Sequence, residues 1–358
     1  MPFKTHFDIP DHLIYINTPG NGLMPRSHYH WRSEREASFF APEGNLRDLQ
    51  PQFIQHVRQD IAACFGTDSK RVYCTPNFSF GFNVLLEGLP KNSRFLIIEG
   101  DYPSLNYPII SRGFAYQTVE ISERIEEDLW HKIETDAPDV LAISMVQYIS
   151  GLKIDLSFIK KLKAAFPNLL IIGDGTQFIG TEPFDFDSSG FDAVGTSGYK
   201  WLMAGFGNGF IMLSSAMEHT IYQDAKKKQR PQETMWINKT ILHTYFEPGH
   251  QDTLSHGTLQ QSLLFLQRLG LQHVKTHLDS LRAYAYGLFK ERQLLLPIAA
   301  NRDIKSSIIN LQINPDLYPK LTEKGVCCFP RGTGIRIGLH LYNDTTDIDR
   351  LIHIVDHL

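Results

Sequence analysis

Short apolar runs recur through the middle of this chain: RFLIIEG (94–100), VLAISMVQY (140–148), LLIIGDG (169–175), FDAVGTS (191–197) and FGNGFIML (206–213). LLIIGDG in particular is nearly continuous in apolar residues rather than alternating with polar ones. Such a run predicts a strand covered on both faces. A short strand at Arg71–Cys74 and another at FAYQTVE (114–120) extend the series. Between them lie helical patterns at Glu126–Thr135 and Leu156–Phe166, with NLRDLQPQFIQHVRQDIAACFG (45–66) upstream. Strands separated by helices predict an α/β fold with helices on both faces of the sheet.

The two ends read differently. The first 30 residues, rich in Pro, Gly and Asn, predict an extended arm with tight turns. GTLQQSLLFLQRLG and VKTHLDSLRAYAYGLFKERQLLL predict long helices from His256 on. Strands around SSIINLQI, GVCCFP and GIRIGLHLY follow, then a closing helix, TTDIDRLIHIVDHL. KKKQRPQ (226–232) reads as a solvated loop. A length of 358 residues suits a large domain with a smaller companion.

Composition excludes several classes. The formal net charge of −4 gives no reason to expect nucleic acid or an anionic membrane as a partner. The four cysteines, Cys64, Cys74, Cys327 and Cys328, are too few for a disulfide scaffold and suit a reducing compartment. The N-terminus lacks a secretory h-region, and no run reaches the ~18 apolar residues of a membrane span. These features predict a soluble, cytoplasmic protein without a metal site.

Four pieces carry chemistry. Asp174 closes the most apolar strand, and ligands of open α/β sheets bind beyond strand carboxyl ends. A carboxylate there is a turn or cap residue, or the partner of a buried cationic nitrogen. Lys200 follows the next strand within GTSGYKWLMAGFGNGF (195–210). It is an ion-pair lysine or a desolvated nucleophilic amine. Such a lysine and aspartate recur together where pyridoxal phosphate is bound. TPNFS (75–79), just before a helix, offers Thr75, Asn77, Phe78 and Ser79 as ordinary caps or as an anion cradle. Tyr102, in DYPSLNYP after a strand end, is a packing residue or a stacking platform.

In order, YINTPGNG, CTPNFSFG, EGDYPS, SMVQYISG, DGTQFIG, SGYKW, FEPGH and RIGLHLYN make the chain resemble class V aminotransferases among the fold-type I pyridoxal-phosphate enzymes. That family includes cysteine desulfurases, kynureninases and isopenicillin N epimerase-like proteins. The resemblance covers nearly the whole chain. It implies a three-layer αβα large domain with a mostly parallel, mixed sheet, spanning 31–255. It also implies a small C-terminal α+β domain at 256–358, joined by the arm at 1–30. The implied cofactor is pyridoxal 5'-phosphate, held by Lys200 as a Schiff base, with Asp174 on the pyridine nitrogen. Gln177 is implied as donor to the phenolic oxygen and Tyr102 as the stacking ring. Ser79, Ser197 and Tyr199 resemble phosphate ligands, with Thr75, Asn77 and Phe78 assisting. Arg336 resembles the clamp on a substrate carboxylate, and Asn17 lies where the N-terminal strand would line the substrate site. The resemblance also implies an amino-acid substrate and a homodimer with sites at the subunit interface.

The departures bear on the reaction. DYPS stands where desulfurases carry a stacking histidine. Cys327 and Cys328 fall within strand-like sequence, not on the mobile loop that a sulfur relay needs. His250, in FEPGH, replaces a threonine that relatives offer to the partner's phosphate. The family default is an aminotransferase-like reaction at the α-carbon. C–S or C–C lyase and epimerase chemistry stay open, and a non-catalytic pyridoxal-phosphate protein is a further alternative.

Overall fold

In the computed structural model, residues 3–358 are described except 42–43, 231, 234–235 and 237–238. Seven strands form the main sheet: β2 (Val72–Thr75), β3 (Arg94–Ile98), β4 (Ala115–Val119), β5 (Val140–Ser144), β6 (Leu170–Asp174), β7 (Ala193–Ser197) and β8 (Gly209–Leu213). Their order across the sheet is β2-β8-β7-β6-β5-β3-β4. All neighbours pair in parallel except β8, which runs antiparallel to both β2 and β7.

The apolar runs are buried on both faces because their side chains alternate between two cores. Leu96, Ile98, Leu141 and Ile143 pack into one cluster with helices Leu46–Phe65, Ile125–Asp136 and Leu156–Ala165. Phe95, Ile97, Val140 and Ala142 pack into the other with helices Phe78–Gly88 and Pro103–Ser111. The result is the three-layer α/β arrangement, with the sheet mixed by one strand.

A third core holds the end of the chain. Strands β9 (Ile308–Leu311), β11 (Phe329–Arg331) and β12 (Gly334–Gly338) form an antiparallel sheet in the order β11-β12-β9. Helices Leu271–Glu291 and Thr345–Val355 cover it, the latter opened by a capping box between Asp344 and Asp347. The arm joins this core through Ile14 and Ile16, both buried. Its strand β1 (Ile14–Tyr15) pairs in parallel with β10 (Val326–Cys327). GVCCFPR is therefore two strands: Val326–Cys327 serve the arm, Phe329–Arg331 serve β12, and Cys328 lies between them. Helix Thr253–Leu269 packs Leu259, Leu263 and Leu266 into the first core of the large sheet.

Two of the longer helices lie where the sequence shows no helical period. Arg26–Ala37 buries only His28, so it carries no apolar stripe to read. Pro103–Ser111 begins with proline at its first turn and holds Pro108 inside, which disguises it as a loop. No helix among the described residues is long and apolar enough to cross a membrane.

Candidate active site

The parallel strands β2, β3, β5, β6 and β7 bring their carboxyl ends to one region. β5 and β3 lie side by side although the chain visits β4 between them. That reversal opens a crevice at the strand ends. Buried Asp101 spans it, accepting hydrogen bonds from Ser144 N at 2.9 Å and Tyr102 N at 2.7 Å. A cleft of about 200 Å³ opens there. Lys200, Asp174, Gln177 and Tyr102 line it, as do Asn77, Phe78, Ser79, Ser197 and Tyr199.

Lys200 and Asp174 sit about 5% exposed, 6% and 5% respectively. Burial lowers the lysine to about 8; Asp174 opposes the shift, and Arg336 and Arg331 add to it. Burial raises the Asp174 carboxyl to about 6, against hydrogen bonds from Thr176 and the pull of Lys200. The amine and carboxylate attract each other but form no ion pair within 4 Å. Lys200 Nζ instead lies 5.7 Å from the Tyr102 ring centroid and 5.5 Å from that of Tyr199. An amine so lowered is half neutral at about pH 8, which suits a nucleophile and proton acceptor.

The anion cradle is narrower than TPNFS suggests. Asn77 caps its helix by accepting from Phe80 N at 2.9 Å. Phe78 N already donates to Ser197 Oγ at 3.0 Å. Thr75 is fully buried behind the loop, its Oγ1 donating to Asn77 O at 3.1 Å. Thr75 thus supports the loop without lining the cleft. Half-buried Ser79, at the N-terminal turn of the eleven-residue helix Phe78–Gly88, is the member left facing the cleft for an anion.

Arg336, on β12, does not itself line the cleft but reaches from the small sheet to Tyr148, which does. Its Nη1 donates to Tyr148 O at 2.8 Å. Burial and the charge of Arg331 lower it to about 10, so it stays a cation at neutral pH. Its buried Nε has no hydrogen-bond partner, and neither has buried Oδ1 of Asn17. Asn17 bridges to Gly338, two residues past Arg336. His250 is exposed in the turn after helix Ile241–Phe246 and does not line the cleft of its own chain.

The arm closes on the lysine loop. Gly22 N donates to Tyr199 O at 2.8 Å, and a Cβ on Gly22 would lie 1.9 Å from Lys200 O. Only glycine allows that approach.

Sequence reasoning missed four lining residues: Ser144, Val146, Tyr148 and Thr176. Tyr148 and Thr176 lie inside SMVQYISG and DGTQFIG, so their position at strand ends was the available signal. Thr176 Oγ1 accepts from Ser197 N at 3.3 Å, tying the loops after β6 and β7 together. Tyr148 packs edge-on against Tyr102, ring centroids 5.1 Å apart.

A buried, pKa-lowered lysine, a carboxylate facing the same cleft and an anion cradle on one α/β sheet define a pyridoxal-phosphate enzyme of fold type I. The chain belongs to the class-V aminotransferase family, whose model matches residues 45–351. Among relatives it is 20% identical to the uncharacterized aminotransferase YcbU of Bacillus subtilis, over 85% of this chain and 82% of that protein. It is 21% identical to hercynylcysteine sulfoxide lyase of Schizosaccharomyces pombe, over 56% of this chain and 54% of that protein. Among solved structures, the cystine C–S lyase C-DES, in complex with cysteine persulfide, superposes with a TM-score of 0.85. The two are 17% identical, with 97% of this chain and 98% of that one covered.

The cofactor is pyridoxal phosphate, and the residues present fit it. The donor set supplies an amine for its aldehyde, a carboxylate for its ring nitrogen and a serine at a helix N-terminus for its phosphate. Buried Arg336 Nε keeps an unpartnered N–H of the kind that pairs with a carboxylate.

Proposed function

We propose that this enzyme is a C–S lyase that eliminates a sulfur substituent from the β-carbon of an amino acid. Lys200, Asp174 and Ser79 would hold the cofactor, which when bound supplies an electron sink at the substrate α-carbon. Arg336 would bind the substrate carboxylate by its guanidinium, with Asn17 beside it. Lys200 Nζ would take the α-proton. The Cβ–S bond then breaks, its electron pair leaves on sulfur, and Lys200 hands that proton to the departing thiolate. The enamine left behind hydrolyses to pyruvate and ammonium, so no external oxidant or reductant is needed.

One observation carries the choice of lyase over sulfur transfer to the protein: no thiol faces the cleft. Burial raises all four cysteines, Cys64 to about 11 and Cys328 to about 12, with Cys74 and Cys327 shifted the same way. Their thiols are poor nucleophiles at neutral pH. Two of the similar proteins carry lyase names, hercynylcysteine sulfoxide lyase and the cystine C–S lyase C-DES. That moves the reading away from the transamination that the family default suggests.

The test is product identity on a panel of cysteine, cystine and S-substituted cysteines. Pyruvate and ammonium are expected in step with the sulfur product. Single Cys→Ala changes at the four positions are expected to alter the rate by no more than about twofold. Alanine as the product, with loss of turnover in one cysteine variant, would establish a persulfide relay instead. A keto acid retaining the substrate side chain, with the cofactor left as its amine, would establish transamination.

We also infer that the active form is a homodimer, with the site completed by the second copy. Phe206, 69% exposed, stacks on the cleft residue Tyr199 at 4.8 Å between centroids. Tyr29 and Phe40 are exposed as well, at 73% and 84%. His250, facing solvent in one chain, is free to reach a partner's phosphate site. Sedimentation velocity on the loaded protein is expected to give twice the chain mass; a monomer with full activity would reject this.

A further inference from the structure

The glutamine that faces the cofactor does not choose its own orientation. Gln177 is buried, and both ends of its amide are engaged. Its Oε1 accepts from the indole Nε1 of Trp201 at 2.8 Å. Its Nε2 donates to the backbone carbonyl of Pro19, on the arm, at 3.1 Å. An indole N–H can only donate, and a carbonyl can only accept. Each contact alone therefore fixes which end of the amide is nitrogen. One N–H of Nε2 is spent on Pro19, and the other remains.

Trp201 is itself held on every side. It is fully buried and packs edge-on against His340, centroids 5.2 Å apart. Its carbonyl accepts from His340 Nε2 at 3.0 Å. His340 N in turn donates to Asn343 Oδ1 at 2.9 Å, and Asn343 Nδ2 donates to Tyr15 O on the arm at 2.8 Å. A Cβ on Gly338 would meet Pro19 at 2.2 Å and Trp201 at 3.3 Å. Arm, small sheet and lysine loop thus close around one indole. Trp201 follows Lys200 directly in sequence, so the loop that delivers the reactive amine also delivers this donor.

We infer that Trp201 is a positioning residue: its indole N–H, with the Pro19 carbonyl, locks the Gln177 amide so that an N–H faces the ring oxygen of the cofactor. With the lock in place, the ring oxygen receives a second donor besides the proton it shares with the Lys200 nitrogen. That donor competes for the oxygen, so the shared proton is held less tightly. Without the Trp201 N–H, Pro19 alone holds the amide, whose plane is then free to swing and carry the second N–H off the same oxygen. The inference rests on reading Gln177 as the residue that faces the cofactor's ring oxygen.

The experiment is a pH titration of the cofactor's absorbance in the loaded, resting enzyme, with no substrate present. In Trp201→Phe the midpoint at which the ~420 nm band disappears is expected to rise by about one pH unit, the size of one lost charge-assisted hydrogen bond. Because Trp201 is in the core, a second protein carries 3-benzothienylalanine at position 201. That side chain keeps the bicyclic shape and lacks the N–H, so it separates the lost donor from lost packing. It is expected to show the same shift with a thermal midpoint close to wild type. Gln177→Leu should shift the midpoint in the same direction, and adding Trp201→Phe to it should shift it no further. A midpoint unmoved in both position-201 proteins, while Gln177→Leu moves it, would overturn the lock alone. A midpoint unmoved by Gln177→Leu would overturn the reading of Gln177, and the lock with it.

Discussion

In the Lys200→Ala protein the absorbance band near ~420 nm is expected to be missing after saturation with pyridoxal phosphate. Turnover is expected to fall by on the order of 10³-fold or more, since the same nitrogen holds the cofactor and moves the α-proton. The fold is expected to survive. The backbone contacts of this loop, Met203 N to Lys200 O at 3.0 Å and Gly22 N to Tyr199 O at 2.8 Å, do not use the side chain. Noncovalent binding should persist through Ser79 and Asp174, so equilibrium dialysis should still find cofactor on the protein. A Lys200→Ala protein that keeps the covalent band would remove Lys200 from its assigned place, and with it the basis of the site.

Replacing Asp174 by asparagine is expected to separate function from stability. Asparagine keeps an acceptor for Thr176 N, which donates to Asp174 Oδ1 at 2.9 Å. It cannot hold a proton on the ring nitrogen by charge. Activity is therefore expected to drop by on the order of 10³-fold, the scale of a lost preorganised charge. The cofactor-free form should respond the other way. The folded-state carboxyl at about 6 lies above its ordinary 3.8 because burial disfavours the charge. Between those values the folded state binds more protons than the unfolded one, so stability falls as pH rises from about 4 to 6 and stays reduced above. The full effect of that shift, with the pull of Lys200 already in it, is about 3 kcal/mol. The difference between wild-type and Asp174→Asn melting temperatures, measured without cofactor from pH 4 to 7, should therefore grow in favour of the variant. A difference independent of pH would show that Asp174 is not held against its charge.

Both predictions concern residues that could be found by reading the chain. Lys200, Asp174 and Ser79 stand just after or at the end of apolar strands, and strand ends are legible because burial imposes a local pattern. The strands at 94–98, 140–144, 170–174 and 193–197 fall inside the runs expected for them. Helix Pro103–Ser111 was hidden because two prolines mask its period. Helix Arg26–Ala37 was hidden because it buries almost nothing.

The parts of the site that were not legible share a cause. Thr75 and Ser79 are four residues apart in a motif of similar polar residues, yet one supports the loop from behind and the other faces the cleft. The Phe78 amide looked available until Ser197, 119 residues on, took it. The hydrogen bond from Trp201 to Gln177 spans 24 residues, with Pro19 a further 158 away from that glutamine.

The sequence by itself determined which elements form, in what order, and which amine and carboxylate they carry, because side-chain period and residue chemistry are local properties. Only the tertiary structure decided which donors remain free for a cofactor, and which end of an amide faces it. Each polar group here has several possible partners, and the one it takes depends on which distant segment the fold brings within about 3 Å.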